Sequence, residues 1–145
     1  MARLIEHFEA VLRGECERSA VAQLVGFSLV GLAEGRATYE LDVDERHANP
    51  MGTLHGGILC DLADAAMGTA YAATLEDGET CTTVELKINF LRPVWRGRLR
   101  AEARVVKGGR TLGLTECDVF DAERRLVARA SSTCMTLRDH RARQR

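Results

Sequence analysis

At 145 residues the chain has the length of one domain, and 46% hydrophobic beside 28% charged residues is the balance of a soluble protein able to bury a core. A formal net charge of -1 excludes the global basic field used to bind nucleic acid, and no apolar run reaches membrane-spanning length. Cys16, Cys60, Cys81, Cys117 and Cys134 are odd in number and contain no C-x-x-C pair, so reduced thiols in a cytoplasm are expected, not a disulfide framework or a zinc site.

Residues 1–13 predict a short amphipathic helix, with Leu4, Ile5, Phe8, Val11 and Leu12 on one side and Gly14 as its stop. Glu6, His7 and Glu9 interrupt any export-signal pattern. From Ala20 to Asp44 the periodicity predicts two strands. Leu24, Val25, Phe27, Leu29, Val30 and Leu32 mark the first, Glu34-Gly35 a turn, and Ala37, Tyr39, Leu41 and Val43 the second. A loop punctuated by Pro50 and Gly52 follows.

Ile58 to Ala73 then predicts the longest helix. Ile58, Leu59, Leu62, Ala66 and Ala70 recur at helical spacing, and small apolar residues fill most other faces. A helix apolar nearly all round is a buried one, yet this one carries Asp61 and Asp64. A carboxylate in such surroundings is costly unless it is paired, hydrogen-bonded or useful. Gly56-Gly57 at the helix start leaves the first backbone N–H groups open to a ligand oxygen. Donors at a helix start with a carboxylate two turns on suit attack on a carbonyl: the donors stabilise an oxyanion and the carboxylate handles water.

The second half reads as strands. Val84, Leu86, Ile88 and Phe90 alternate with polar neighbours, and so do Leu99, Ala101, Ala103 and Val105. Lys107-Gly108-Gly109-Arg110 is a hairpin signal. Thr111 to Phe120 and Leu126 to Leu137 complete the set, and the tail 138–145 is expected to fray. The order predicts an α+β domain over residues 1–145, its core at about 20–137, in which an antiparallel sheet wraps one long helix.

His47-Ala48-Asn49-Pro50-Met51-Gly52-Thr53-Leu54-His55-Gly56-Gly57, followed by Leu62-Ala63-Asp64, resembles the hotdog-fold acyl-CoA thioesterases, closest to the phenylacetate-pathway branch. Val84 to Pro93 resembles the strand after the helix in that family, so the likeness spans roughly residues 20–137. The resemblance implies Asp64 as the catalytic carboxylate, acting as base or nucleophile. It implies the Gly56 amide as the group that polarises the thioester carbonyl. It implies Asn49 as an amide holding carbonyl or water, and Thr83, with Thr82 adjacent, as a hydroxyl that positions water. It further implies dimers with helices side by side, or dimers of dimers, an acyl-CoA substrate, and no cofactor or metal beyond the coenzyme A of that substrate.

Other residues have weaker signals. Asp64 shares a helical flank with Cys60, Met67 and Tyr71, which makes Met67 and Tyr71 candidates for the acyl pocket along with Gly57. His55 could touch the substrate carbonyl, although a histidine at a helix start more often ties down the preceding loop. Asp61 is explained by the helix dipole alone. Cys60 has no histidine at helical spacing and reads as a small buried filler. Arg92, Arg96, Lys107 and Arg110, at strand ends and turns, are candidates for the coenzyme A phosphates. Two alternatives stand beside hydrolysis: a non-catalytic acyl-CoA-binding or sensing domain on the same fold, and a dehydratase built on His55 with Asp64.

Overall fold

The computed structural model describes residues 3–138. Of the sequence-based expectations, the frayed tail beyond Arg138 lies outside them. Helix α1 spans Leu4–Leu12 and closes into Gly14, whose φ of 74° is left-handed. The segment expected to open the first strand is instead a second helix, α2, at Ala20–Val25. Ser19 caps it by accepting the Ala22 N–H, and Gly26, at φ 99°, ends it with its N–H on the Ala22 carbonyl. Cap and stop override the strand-like run of apolar residues. Leu24, expected in the first strand, lies on α2 and is 80% exposed.

Strand β1 (Phe27–Ala33) turns at Gly35 into β2 (Arg36–Val43), whose Ala37, Tyr39, Leu41 and Val43 all point inward and are buried. A 3-10 turn at Glu45–His47 and a loop lead to helix α3, Gly56–Ala72. Four strands follow: β3 (Thr80–Phe90), β4 (Gly97–Gly108), β5 (Leu112–Phe120) and β6 (Leu126–Leu137). They form one antiparallel sheet in the order β1-β2-β4-β5-β6-β3.

The β4–β5 and β5–β6 connections are the expected hairpins, but β3 and β4, though joined by a short link, lie on opposite sides of β5 and β6. The link passes the start of α3, where Leu54 N–H donates to the Val94 carbonyl at 2.7 Å and Leu91 N–H to Val127 at 2.8 Å. The sheet curves around α3, and Leu62, Ala63, Ala66, Met67 and Ala70 on that helix are all 0% exposed. This is the hotdog architecture, a sheet wrapped around one helix. Among the described residues no helix is long and apolar enough to cross a membrane.

Leu62→Ala should empty a closed site and lower unfolding free energy by about 2–5 kcal/mol in urea titration. Leu24→Ala should change it by less than about 0.5 kcal/mol, because that side chain is on the solvent face of α2. A large loss from Leu24→Ala would restore the strand assignment there.

Candidate active site

The loop that delivers the start of α3 is held at two points. His47 is buried, and its Nδ1 accepts the Asp44 N–H at 3.1 Å. That fixes the proton on Nε2, which donates to the Val25 carbonyl at 2.7 Å. The His47 carbonyl in turn accepts the His55 N–H at 2.8 Å. Asn49 closes the loop tip: its Oδ1 accepts the N–H groups of Met51 (2.9 Å) and Thr53 (3.2 Å), and its Nδ2 donates to Thr53 Oγ1 at 2.8 Å. The Asn49 side chain is therefore engaged in building a turn, while bordering a cleft of ≈ 370 Å³ shared with Gly56, Leu59, Phe90 and Arg92.

His55 caps α3, its Nδ1 accepting the Gly57 N–H at 2.9 Å. The expectation of two uncovered donors thus holds for one: the Gly57 amide is taken by the histidine. The Gly56 N–H meets no acceptor among the described residues. A Cβ at Gly56 would lie 2.7 Å from Phe90 Cζ, so only glycine lets that ring lie over the helix start.

Asp64 lies two turns further along α3. Thr83 donates its hydroxyl proton to Asp64 Oδ1 at 2.7 Å. β3 carries a register shift between Thr83 and Glu85 where it pairs with β6. Asp61, one turn before Asp64, lines the same two openings. Burial, and then the Asp64 charge, push its carboxyl above the ordinary 3.8. Cys60 beside them has its thiol raised by burial and by both aspartates, which makes it a poor nucleophile.

Met67 and Tyr71 do not share the Asp64 opening. Met67 is fully buried in the core, and Tyr71 is buried against Gly113 with its hydroxyl 2.8 Å from Thr136 Oγ1. Met67 and Tyr71 lie on one side of the helix, while Asp61, Asp64, Ala65, Gly68 and Ala72 share another. The basic candidates also separate. Arg92 borders the Gly56 cleft, and Arg96 meets Glu45 at 3.3 Å. Lys107 and Arg110 sit on the β4–β5 hairpin at the other end of α3, where Gly113 meets Tyr71 and the Arg138 guanidinium donates to the Arg110 carbonyl.

Against the Asp64 face lies an apolar chamber of ≈ 420 Å³ that sequence reasoning did not foresee. Its walls beside α3 come from α1, α2, β1, β2 and β3, and its polar groups include Tyr39 and Thr69, whose hydroxyls bond each other at 2.9 Å. The amphipathic face of α1 was legible, but what it covers was not. Among the described residues no group of three His, Cys, Asp or Glu side chains could hold a metal ion.

Comparison with known proteins adds to this geometry. Residues 51–128 match the family model described as the thioesterase superfamily. Human acyl-coenzyme A thioesterase 13 is 29% identical over 92% of this chain and 96% of its own length. The solved thioesterase family protein of Silicibacter pomeroyi is 30% identical with a TM-score of 0.81, covering 91% of this chain and 99% of that one. The PaaI protein of the E. coli phenylacetic acid degradation operon is 25% identical with a TM-score of 0.81, covering 92% of this chain and 96% of that one.

The raised Asp61 carboxyl has a stability signature. A folded-state pKa above the unfolded one means the native chain holds that proton more tightly. This favours folding at low pH and is lost as pH rises through the folded value. Asp61→Asn should therefore raise Tm at pH 7, with the gain shrinking as pH falls toward 3.8. A Tm for the variant at or below that of the parent at pH 7 would refute the shift.

Proposed function

Because the chain belongs to the thioesterase superfamily, we propose that it hydrolyses acyl-CoA thioesters to a free acid and coenzyme A. The observation that carries this reading is the Thr83–Asp64 hydrogen bond of 2.7 Å at the mouth of an apolar chamber. Thr83 fixes the carboxylate through Oδ1, and in this reading Oδ2 is the oxygen that meets water. Asp64 takes a proton from that water as its oxygen adds to the carbonyl carbon. The carbonyl oxygen gains negative charge against an N–H at the start of α3, for which the free Gly56 amide is suited. Collapse of the adduct breaks the C–S bond, and the proton passes to the departing thiolate.

Gly56 and Asp64 are on one helix and eight residues apart, a separation of ~12 Å at 1.5 Å per residue. The reacting groups must approach to about 3–3.5 Å. Two copies with antiparallel helices side by side meet that requirement, with Gly56 from one and Asp64 from the other. β3 is an edge strand, and Val84 and Phe90 along it and Leu91 just after it are each more than half exposed, which favours such a pairing. Coenzyme A would meet Arg92 at the rim of the Gly56 cleft. The reading needs no metal or added cofactor, and cytoplasmic coenzyme A is the fitting supply.

Release of free thiol from acyl-CoA measures the activity. Asp64→Asn should lower kcat by a factor on the order of 10² or more with KM little changed, and Thr83→Ala by roughly tenfold, while Asp61→Asn should stay within a few-fold. A reversed order for the two aspartates would reject the assignment.

The shared site predicts complementation. Gly56→Pro removes the amide at the first helical position, where proline is tolerated, and the half-exposed Phe90 can swing aside. Mixed dimers of Gly56→Pro and Asp64→Asn chains should regain one working site from two inactive parents. Verified heterodimers without activity would refute a site built from two copies. Arg92→Ala should raise KM, more at low salt than at high, and leave kcat nearly unchanged; an unaltered KM would remove Arg92 from coenzyme A binding.

A further inference from the structure

Gly68 stands in the interior of α3, one turn beyond Asp64. A glycine there is ~1 kcal/mol less favourable than alanine, so it calls for a reason. The backbone supplies none, since Gly68 is not among the residues with left-handed φ. Packing supplies none either. At Gly56 and Gly113 a Cβ would strike an aromatic ring at 2.7 and 2.3 Å, but at Gly68 it would meet nothing within 4 Å. What lies above Gly68 is the ≈ 420 Å³ chamber, so the missing side chain adds to its free space.

The roof of that chamber points the same way. α1 presents Leu4, Phe8 and Val11 to it, yet no residue of α1 is fully buried. An amphipathic helix that turns its apolar face inward and still buries no side chain completely is leaning over space. Phe27 and Leu29 line another wall, and Asp64 and Thr83 stand at the mouth. An apolar cavity of this size next to a convergent polar pair fits a small-molecule site.

We propose that Gly68 is a specificity-determining residue: the acyl group of the thioester lies beneath α1, passes Asp64 by at least one helical turn, and occupies the space a side chain at 68 would fill. This inference rests on the hydrolytic reading and deepens it. One turn and a fraction is ~6 Å along α3, so the substrate class is an apolar acyl group of medium length, or an aryl-acyl group of similar reach. An acetyl group ends before Gly68. Each methylene buried in the chamber should raise kcat/KM by about fourfold until the chamber is full.

The test uses the full chain with acetyl-, butyryl-, octanoyl- and phenylacetyl-CoA. Calorimetry with the non-hydrolysable thioethers S-ethyl- and S-octyl-coenzyme A runs beside it. Gly68→Val should cut kcat/KM for octanoyl-CoA at least tenfold relative to acetyl-CoA, and should weaken S-octyl but not S-ethyl binding to match. Gly68→Ala should raise Tm and show the same change in smaller measure. Phe8→Trp, which fills the chamber from the roof, should reproduce the effect, and it decides the matter if Gly68→Val does not fold. Hydrolysis that persists with octanoyl-to-acetyl ratio and S-octyl affinity within twofold of the parent, in both filled variants, overturns this inference and leaves the hydrolytic reading standing. A parent that hydrolyses none of the thioesters, yet binds S-octyl-coenzyme A in a way Gly68→Val abolishes, overturns hydrolysis and upholds the chamber. A parent that does neither overturns both.

Discussion

A helix enclosed by its own sheet has few directions left in which to be polar, and the rest of this molecule follows from that restriction. α3 gives its stripe of Leu59, Leu62, Ala63, Ala66, Met67 and Ala70 to the curved sheet. Only one flank escapes, and on it lie Asp61, Asp64 and Gly68. A carboxylate anywhere else on α3 would be stranded in apolar packing with no partner. Asp64 is tolerated because the edge strand β3 brings Thr83 within 2.7 Å of it. The chemistry of the site and the burial of the core are therefore two faces of one helix.

How much of this was legible in the sequence depended on the range of the forces involved. The alternation in β2 and β4 marked half-buried strands, since a period of two is a local property. Asp64 stood out because a charge in an apolar helix is a local conflict. α2 was misread because six residues are too few for periodicity to separate helix from strand, and the decisive signals were single residues at its ends, Ser19 and Gly26. Met67 and Tyr71 were placed on the Asp64 flank because helical spacing constrains a face only to within a broad arc. Which part of that arc meets the sheet is decided by distant residues such as Gly113. The chamber was invisible for the same reason, for its walls come from six elements.

Charge on the outer face of the sheet narrows the field for phosphate binding. Arg98 pairs with Asp42 at 2.9 Å, Arg100 with Glu40 at 3.1 Å, Arg124 with Glu102 at 2.8 Å and Arg129 with Asp118 at 2.7 Å. These exposed pairs each contribute little to stability, but they occupy guanidinium groups that would otherwise attract an anion. The arginine count of the chain therefore overstates its free positive charge. Arg92, close to the start of α3, pairs with no carboxylate among the described residues.

His47 places a demand of its own on the chain. Its ring joins the end of α2 to the turn after β2, accepting from the backbone on one side and donating to it on the other. A replacement must present an acceptor and a donor at opposite ends of a rigid spacer of that width, in a space already closed to water. An acidic side chain offers only acceptors and a basic one only donors. Position 47 thus resembles a keyed joint more than a packing site. Errors there would be felt at His55 and Gly56, because the carbonyl of the same residue holds the amide from which α3 begins.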